Sequence, residues 1–266
     1  MKRQIVLVRG GGDLASAIIQ KLHNARYRVI VSEIERPRMV RRTVSYGNAV
    51  YEGEYSVEGI TAVRASLDEV VELWQQDKIP VVVEQEAAIL EAFSPAVFID
   101  ATLSKKTPDY TKDIAPLSIG LGPEIIAGEQ ADVVIETNRG HDLSRLIFHG
   151  KAAENTHVPG SSLGYTTERV LRSPAHGKLE TTLEIGELVS AGQVLGHVAG
   201  EPVVAQINGV LRGWIHPTVE LTRGMKIGDI DPRMKPVYCQ TISDKGRGLA
   251  GGVLEAILMK LDESTG

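Results

Sequence analysis

The sequence predicts an α/β protein with a mostly parallel sheet in its first half. A smaller all-β module and a C-terminal helix follow. Three observations carry this. An apolar run, Ile5-Val6-Leu7-Val8, meets Gly10-Gly11-Gly12 and passes straight into a helical pattern. Short β-branched runs then recur between helix-length segments as far as Glu136, the alternation of a strand–helix–strand sheet. Finally, residues 177–228 repeat themselves at a shift of 32 positions.

Composition sets the outer bounds. The 266 residues suffice for one large domain or two modest ones, and 42% hydrophobic with 24% charged residues is ordinary for a globular protein. A net charge of -5 argues against general nucleic-acid binding. The single cysteine, Cys239, excludes an intrachain disulfide and a cysteine-based zinc cluster, and no metal site is expected. No apolar run approaches the length of a membrane span, and no signal pattern follows Met1, so the expectation is a cytoplasmic protein without a membrane partner.

Gly10, Gly12 and Ala15 satisfy G-x-G-x-x-A between a strand and a helix, the setting in which a Rossmann-like fold binds a nucleotide. Gly10 turns the chain, Gly12 lets a phosphate approach, Ala15 keeps the helix near the sheet, and Gly11, Asp13 and Leu14 complete the loop. Asp13 needs a cation or hydrogen bond to offset it beside a phosphate. Glu33 lies 23 residues after Gly10, at the end of the second strand, where such folds place an acid on a ribose hydroxyl. The following Arg36, Arg38, Arg41 and Arg42 suit either an acidic ligand or a solvated face, and Glu33 disfavours a 2′-phosphate.

Further strands are expected at residues 60–63, 80–83, 96–100, 117–119 and 132–136. Helices are expected from Ser66, at residues 87–93 and at residues 143–148. The open-sheet rule places ligands at strand ends, which makes candidates of Asp100 with Lys105 and Lys106, of Gly120 and Gly122, and of Asn138, Arg139 and His141. Asp100, Lys105, Arg139 and His141 are the catalytic candidates. Asp142 as a helix cap and Asn138-Gly140 as a turn is the plainer reading of the last loop.

Residues 1–150 read as the nucleotide-binding domain and 151–174 as a linker. Residues 175–233 read as the β module, and 234–266 as a strand and helix packing back on the first domain. The repeat aligns Gly177 with Gly209, Leu179 with Leu211, Gly192 with Gly224 and Gly196 with Gly228. Two such copies make a barrel-sandwich hybrid, as in biotinyl and lipoyl carrier domains. The corresponding tip, Ala199-Gly200-Glu201-Pro202, has no lysine, so neither biotin nor lipoate is expected. Cys239 reads more simply as a small core residue than as a reactive thiolate or persulfide carrier, with Lys245 or Arg247 as the groups that could activate it.

Four stretches together resemble the YqeB family: residues 9–15, 136–143, 226–233 and 241–245. Members are accessory proteins of selenium-dependent molybdenum hydroxylases. The first half is more distantly similar to the Rossmann domain of the XdhC/CoxI proteins. The resemblance implies a role in maturation, delivering, modifying or inserting the molybdenum cofactor or its selenium. It implies a client hydroxylase and other maturation proteins as partners, with homo-oligomerisation open. The ligand is then NAD, ATP or the molybdenum cofactor. An NAD-dependent oxidoreductase using Lys105 or His141 as acid or base, and a scaffold with a vestigial loop, are the competing readings.

Overall fold

The computed structural model describes residues 4–83, 86–156 and 158–263; His157 and the side chains of Leu261, Asp262 and Glu263 lie outside this set. In the first half, strands β1 (Ile5–Arg9), β2 (Arg28–Ser32), β3 (Glu54–Val57), β4 (Ile60–Ala65), β5 (Ile79–Val82), β6 (Val97–Asp100) and β7 (Leu117–Leu121) are joined by β9 (Val133–Ile135) and β10 (Leu146–Ile147). They form one nine-stranded sheet in the order β10-β9-β7-β6-β1-β2-β5-β4-β3. All pairs are parallel except the two edge hairpins, β3–β4 and β9–β10. A two-stranded ribbon of β8 (Ile126–Ala127) and β11 (Gly150–Lys151) lies beside it.

Helices cover both faces. Helix α1 (Asp13–Asn24) and the C-terminal α5 (Asp244–Glu263) pack with Val6, Val8, Val29 and Ile99 into one core. Between β2 and β3 lies a single turn, α2 (Ala49–Glu52). Helices α3 (Val70–Gln75) and α4 (Glu86–Phe93) join Leu7, Ile30 and Phe98 on the opposite face. Ser66 and Glu69 form the capping box that starts the α3 segment. The strand pattern therefore gives a large, mostly parallel sheet with a C-terminal helix.

Helix α5 reaches that core by way of its glycines. A Cβ on Gly246 would sit 2.9 Å from Ala17 of α1, and one on Gly252 would sit 2.7 Å from the Ser144 carbonyl oxygen. These contacts let α1 and the β9–β10 turn approach the helix backbone. Gly251 faces open space, so its absent side chain serves no contact.

Two expected elements differ. Residues 143–148 are not a helix: Ser144 N donates to Glu136 O and Glu136 N to Arg145 O, so the chain doubles back and pairs β10 with β9. Residues 236–239 form a turn of 3-10 helix rather than a strand, with Pro236 supplying its first position.

The second half begins earlier than its repeat suggests. Strand β12 (Val170–Arg172) pairs with β18 (Lys226–Asp231), and the order β12-β18-β17-β14 makes a four-stranded sheet with β17 (Gly209–Trp214) and β14 (Leu188–Val189). Strands β13 (Leu179–Glu180), β15 (Val194–Val198) and β16 (Glu201–Val204) form a three-stranded one. Leu179, Leu195, Val203, Leu211, Trp214 and Ile230 fill the core they share. The repeat-related Gly192 and Gly224 occupy equivalent turns at φ 84 and 83.

Residues 40–51 hold this unit to the sheet. Trp214 N donates to Val40 O at 2.8 Å, Arg42 Nε to Trp214 O at 2.8 Å, and Thr43 Oγ1 to Cys239 O at 2.6 Å. Tyr51 stacks on His216 with centroids 3.8 Å apart. The second half also buries charge of its own. Asp229 accepts from Arg169 at 2.7 Å, and Asp231, 1% exposed, faces Arg212 at 3.5 Å and accepts from Arg233 Nε at 2.9 Å.

Two predictions follow from this packing. Gly252→Ala is expected to cost about 1–3 kcal/mol through overpacking, whereas Gly251→Ala stabilises α5 by up to about 1 kcal/mol; urea unfolding of both variants measures the difference. Burial opposes ionisation of Asp231, yet hydrogen bonds from Arg233 and the charge of Arg212 hold its carboxyl below the ordinary value. A carboxyl depressed in the folded state stabilises above its unfolded pKa, and that contribution disappears as pH falls below roughly 4. Melting temperature measured against pH should fall through that range and fall less steeply in Arg233→Met.

Candidate functional site

At the glycine loop the sequence and the geometry meet. Strand β1 ends at Arg9, and Gly10 turns the chain at φ 93, with its N–H on Ser32 O. Gly11 then presses on Gly47: a Cβ there would lie 2.6 Å from Gly47 N, and Gly47 N donates to Gly11 O at 2.8 Å. Glu33 closes this knot. Its Oε1 accepts Gly11 N–H at 2.7 Å and its Oε2 accepts Ile34 N–H at 2.9 Å. Burial pushes the Glu33 carboxyl up, and the two backbone donors only partly oppose it. Ser16 Oγ adds a bond to Gly11 O and accepts Tyr46 N–H. Glu33 thus shapes the loop, and its oxygens are engaged before any ribose arrives.

Gly12, next in line, has nothing within 4 Å of where a Cβ would lie. It is the N-cap of α1, in extended conformation, and no side chain caps the helix. The first N–H groups of α1 lack intrahelical partners by geometry and carry the positive end of the helix dipole. They open into a cavity of about 850 Å³. The cavity sits where the strand order reverses: β1 has β2 on one side and β6 on the other, so chain ends diverge there.

Gly10, Gly12, Asp13, Leu14 and Ala15 form the floor, with Glu33, Ile34, Arg38 and Met39 along the β2 side. Asp100 and residues 101–104 and 106–109, on the β6–β7 connection, form the opposite wall. Asp100 is 2% exposed and accepts from Thr102 N, Thr102 Oγ1 and Tyr110 Oη at 3.0, 2.7 and 2.8 Å. Arg9 lies between Glu86 at 3.2 Å and Asp100 at 3.6 Å. Burial and the Asp100 carboxylate push the Tyr110 phenol far above its ordinary value, so it stays protonated and donates to Asp100. Asp100 is a wall-forming carboxylate rather than an accessible acid or base.

Asp13 finds its offset in Arg41, whose Nη1 lies 3.2 Å from Asp13 Oδ2. Arg41 Nη2 also donates to Tyr238 O at 3.0 Å. The arginine run after β2 therefore divides: Arg38 faces the cavity, while Arg41 and Arg42 face the seam.

The remaining candidates lie elsewhere. Lys105 lines a separate cavity of about 370 Å³ with Glu124, Lys151 and Asn155. Gly120 is buried in β7, where a Cβ would lie 2.6 Å from Ile125 Cγ2, so packing explains it. Gly122 touches the backbone of Leu103 and Ser104 behind the cavity wall. Asn138 N donates to Glu136 Oε1 and Asn138 Nδ2 to Glu154 O, bonds that fix a turn. Arg139 makes a two-pronged pair with Asp244 at 2.7 and 2.8 Å. His141 is exposed and lines neither cavity. The Asn138 loop does not close over the glycine loop.

Cys239 is fully buried, with Sγ 3.8 Å from Leu211 O, and burial pushes its thiol up against the pull of Arg212 and Arg41. Arg247 instead binds Glu58. Lys245 has its ammonium held below the ordinary value, chiefly by burial and then by Arg139. Sequence reasoning missed Gly47 and Tyr110. Neither carried a local signal, because each acts through a partner far along the chain or in the loop it packs beneath. Among the described residues, no group of three or more His, Cys, Asp or Glu is placed to hold a metal ion, and no helix is long and apolar enough to cross a membrane.

The fold and cavity define an open α/β protein with a candidate ligand crevice at the switch point of its sheet. Over 261 residues the chain is 40% identical to the uncharacterized protein YqeB of Escherichia coli K12, a match that covers 98% of this chain and 48% of that protein. The chain thus spans about half the length of the curated relative it matches. No protein-family model matches. Among solved structures, the ectoine utilization protein EutE (DoeB) of Ruegeria pomeroyi with product bound aligns at 10% identity. That alignment covers 86% of this chain and 85% of that one, with a TM-score of 0.26. An aspartoacylase family protein of Mesorhizobium loti aligns at 12% identity over the same shares with a TM-score of 0.27. At such scores neither likeness bears on fold or activity.

The loop geometry separates two adjacent glycines. Gly11→Ala is expected to lose about 1–3 kcal/mol because Gly47 backbone blocks the new methyl. Gly12→Ala, with open space, should stay within about 0.5 kcal/mol of the unaltered chain. Chemical denaturation of the two single variants measures the contrast.

Proposed function

We propose that the protein is a maturation factor for selenium-dependent molybdenum hydroxylases. In this reading it holds a nucleotide, or the nucleotide-like pyrophosphate portion of the molybdenum cofactor, in the cavity above Gly12. The observation that carries the ligand reading is the uncapped N-terminus of α1 opening into a cavity of about 850 Å³. A pyrophosphate needs unpaired N–H donors and no uncompensated carboxylate beside it. Gly12 leaves the approach clear, and Arg41 compensates Asp13.

The 40% identity to YqeB and the four motif stretches support membership of that family, and the maturation role is what the resemblance to that family implies. Ile34, Met39, Leu103 and Pro108 would flank the ligand's rings. The second unit, read as a barrel-sandwich hybrid, ends its β15–β16 hairpin in Ala199-Gly200 with no lysine for biotin or lipoate. It serves instead to dock the client hydroxylase or another maturation protein, in the cytoplasm. The oxidoreductase alternative is weakened because Lys105 and His141, its acid–base candidates, lie off the cavity.

Native mass spectrometry of the protein from a host that makes molybdenum cofactor tests the ligand. A nucleotide or cofactor mass should accompany the unaltered chain and be missing from Gly12→Val. At a nucleotide concentration about 100 times its Kd, binding adds about 2.7 kcal/mol of stability. That increment should vanish in Gly12→Val while the ligand-free melting temperature holds. A ligand retained by a folded Gly12→Val protein would overturn the site.

A further inference from the structure

The cavity's charges do not cancel evenly. Asp13 is paired with Arg41, and Asp100 is held by Thr102, Tyr110 and Arg9. Both oxygens of Glu33 accept backbone N–H groups. Three of the cavity's four carboxylates thus have partners, and only Asp109, on the far wall, makes no ion pair or hydrogen bond through its side chain among the described residues. Two cations, by contrast, line the cavity with no ion pair or side-chain hydrogen bond among the described residues. Arg38 lies on the β2 side, and Lys106 lies on the β6 side. They flank the α1 N-terminus from opposite walls.

Position gives these cations different tasks. In an open α/β sheet the ribose next to the pyrophosphate lies over the end of β2. An acid there accepts the ribose hydroxyls, and an arginine nearby accommodates a phosphate on the 2′ oxygen. Here the acid is turned inward onto Gly11, five residues before an unpaired Arg38 that shares the same cavity. The repulsion expected of Glu33 towards a second phosphate is reduced, because its carboxylate is bound to two N–H donors and faces the loop. A guanidinium is also the side chain best matched to a phosphate monoester.

We propose, resting on the nucleotide reading of this cavity, that it selects a dinucleotide carrying a 2′-phosphate on its ribose over the unphosphorylated counterpart. Arg38 binds the extra phosphate, and Lys106 supports the pyrophosphate from the opposite wall. Glu33 is a positioning residue for the glycine loop and not a ribose ligand.

Isothermal titration of the full chain with NADP+ and NAD+, and with adenosine 2′,5′-bisphosphate and AMP as a shorter pair, tests this. The phosphorylated member of each pair should bind about tenfold tighter or more. Arg38→Ala should bring the ratio to about one without altering NAD+ affinity. Lys106→Ala should weaken both dinucleotides by a similar factor, and Gly12→Val should abolish both. Both substituted cations are exposed, so loss of fold does not confuse the result. Equal affinities in the unaltered chain, or a preference that survives Arg38→Ala, would overturn the selectivity and leave the nucleotide site standing. Failure of all four compounds and of ATP to bind would overturn the nucleotide reading together with the selectivity.

Discussion

The guanidinium of Arg41 is the contact on which both halves of the molecule converge. Its side chain is 10% exposed, and it reaches Asp13 at the start of α1 with one nitrogen and the carbonyls of Tyr238 and Thr241 with another. A cation so far from water persists only where acceptors surround it. The acceptors come from the glycine loop on one side and the segment leading into α5 on the other. One side chain therefore makes the loop electrically hospitable to an anion and fixes the returning chain beside it.

Much of this fold is legible in the residues. The strand–glycine–helix start, the capping box at Ser66 and Glu69, and the turn glycines of the repeat all act within a few positions of themselves. Local spacing suffices for such features. Residues 143–148 are different: a short apolar window fits a helix and a strand equally, and the decision fell to the hydrogen bonds of Glu136 with Ser144 and Arg145. The same limit applies to the site. Gly10, Gly12 and Ala15 declare themselves, but the turning of Glu33 onto Gly11 depends on Gly47, a residue that spacing does not mark. Gly120 resembles a ligand-loop glycine in sequence and proves to be a packing glycine because Ile125 folds over it.

The β module buries acids of its own in β18. Asp229 and Asp231 alternate with Ile230, so the strand gives its apolar side to the module's core and its acids to the opposite side. Arg169, Arg212 and Arg233 answer those acids. All three arginines belong to the second half, so these pairs fix that half internally, and the seam itself is held by Val40, Arg42 and Thr43, which bond to Trp214 and Cys239. The stacked pair Tyr51–His216 adds a second fixed point. The cavity and the β module are consequently held in a defined relation.

The packing of α5 on α1 also sets an order of assembly. Helix α1 is made more than two hundred residues before α5, so the part of the parallel sheet that α5 covers must wait for it. Contacts of such long sequence separation form slowly, after the entropy of closing the intervening loop has been overcome. The β module, whose pairings all fall between Val170 and Asp231, is free to condense inside that loop and shorten it. Until α5 arrives, the sides of β7 and β9 that carry Ile119, Val133 and Ile135 lack its cover, and the nascent sheet is the stage of this protein's life most exposed to aggregation.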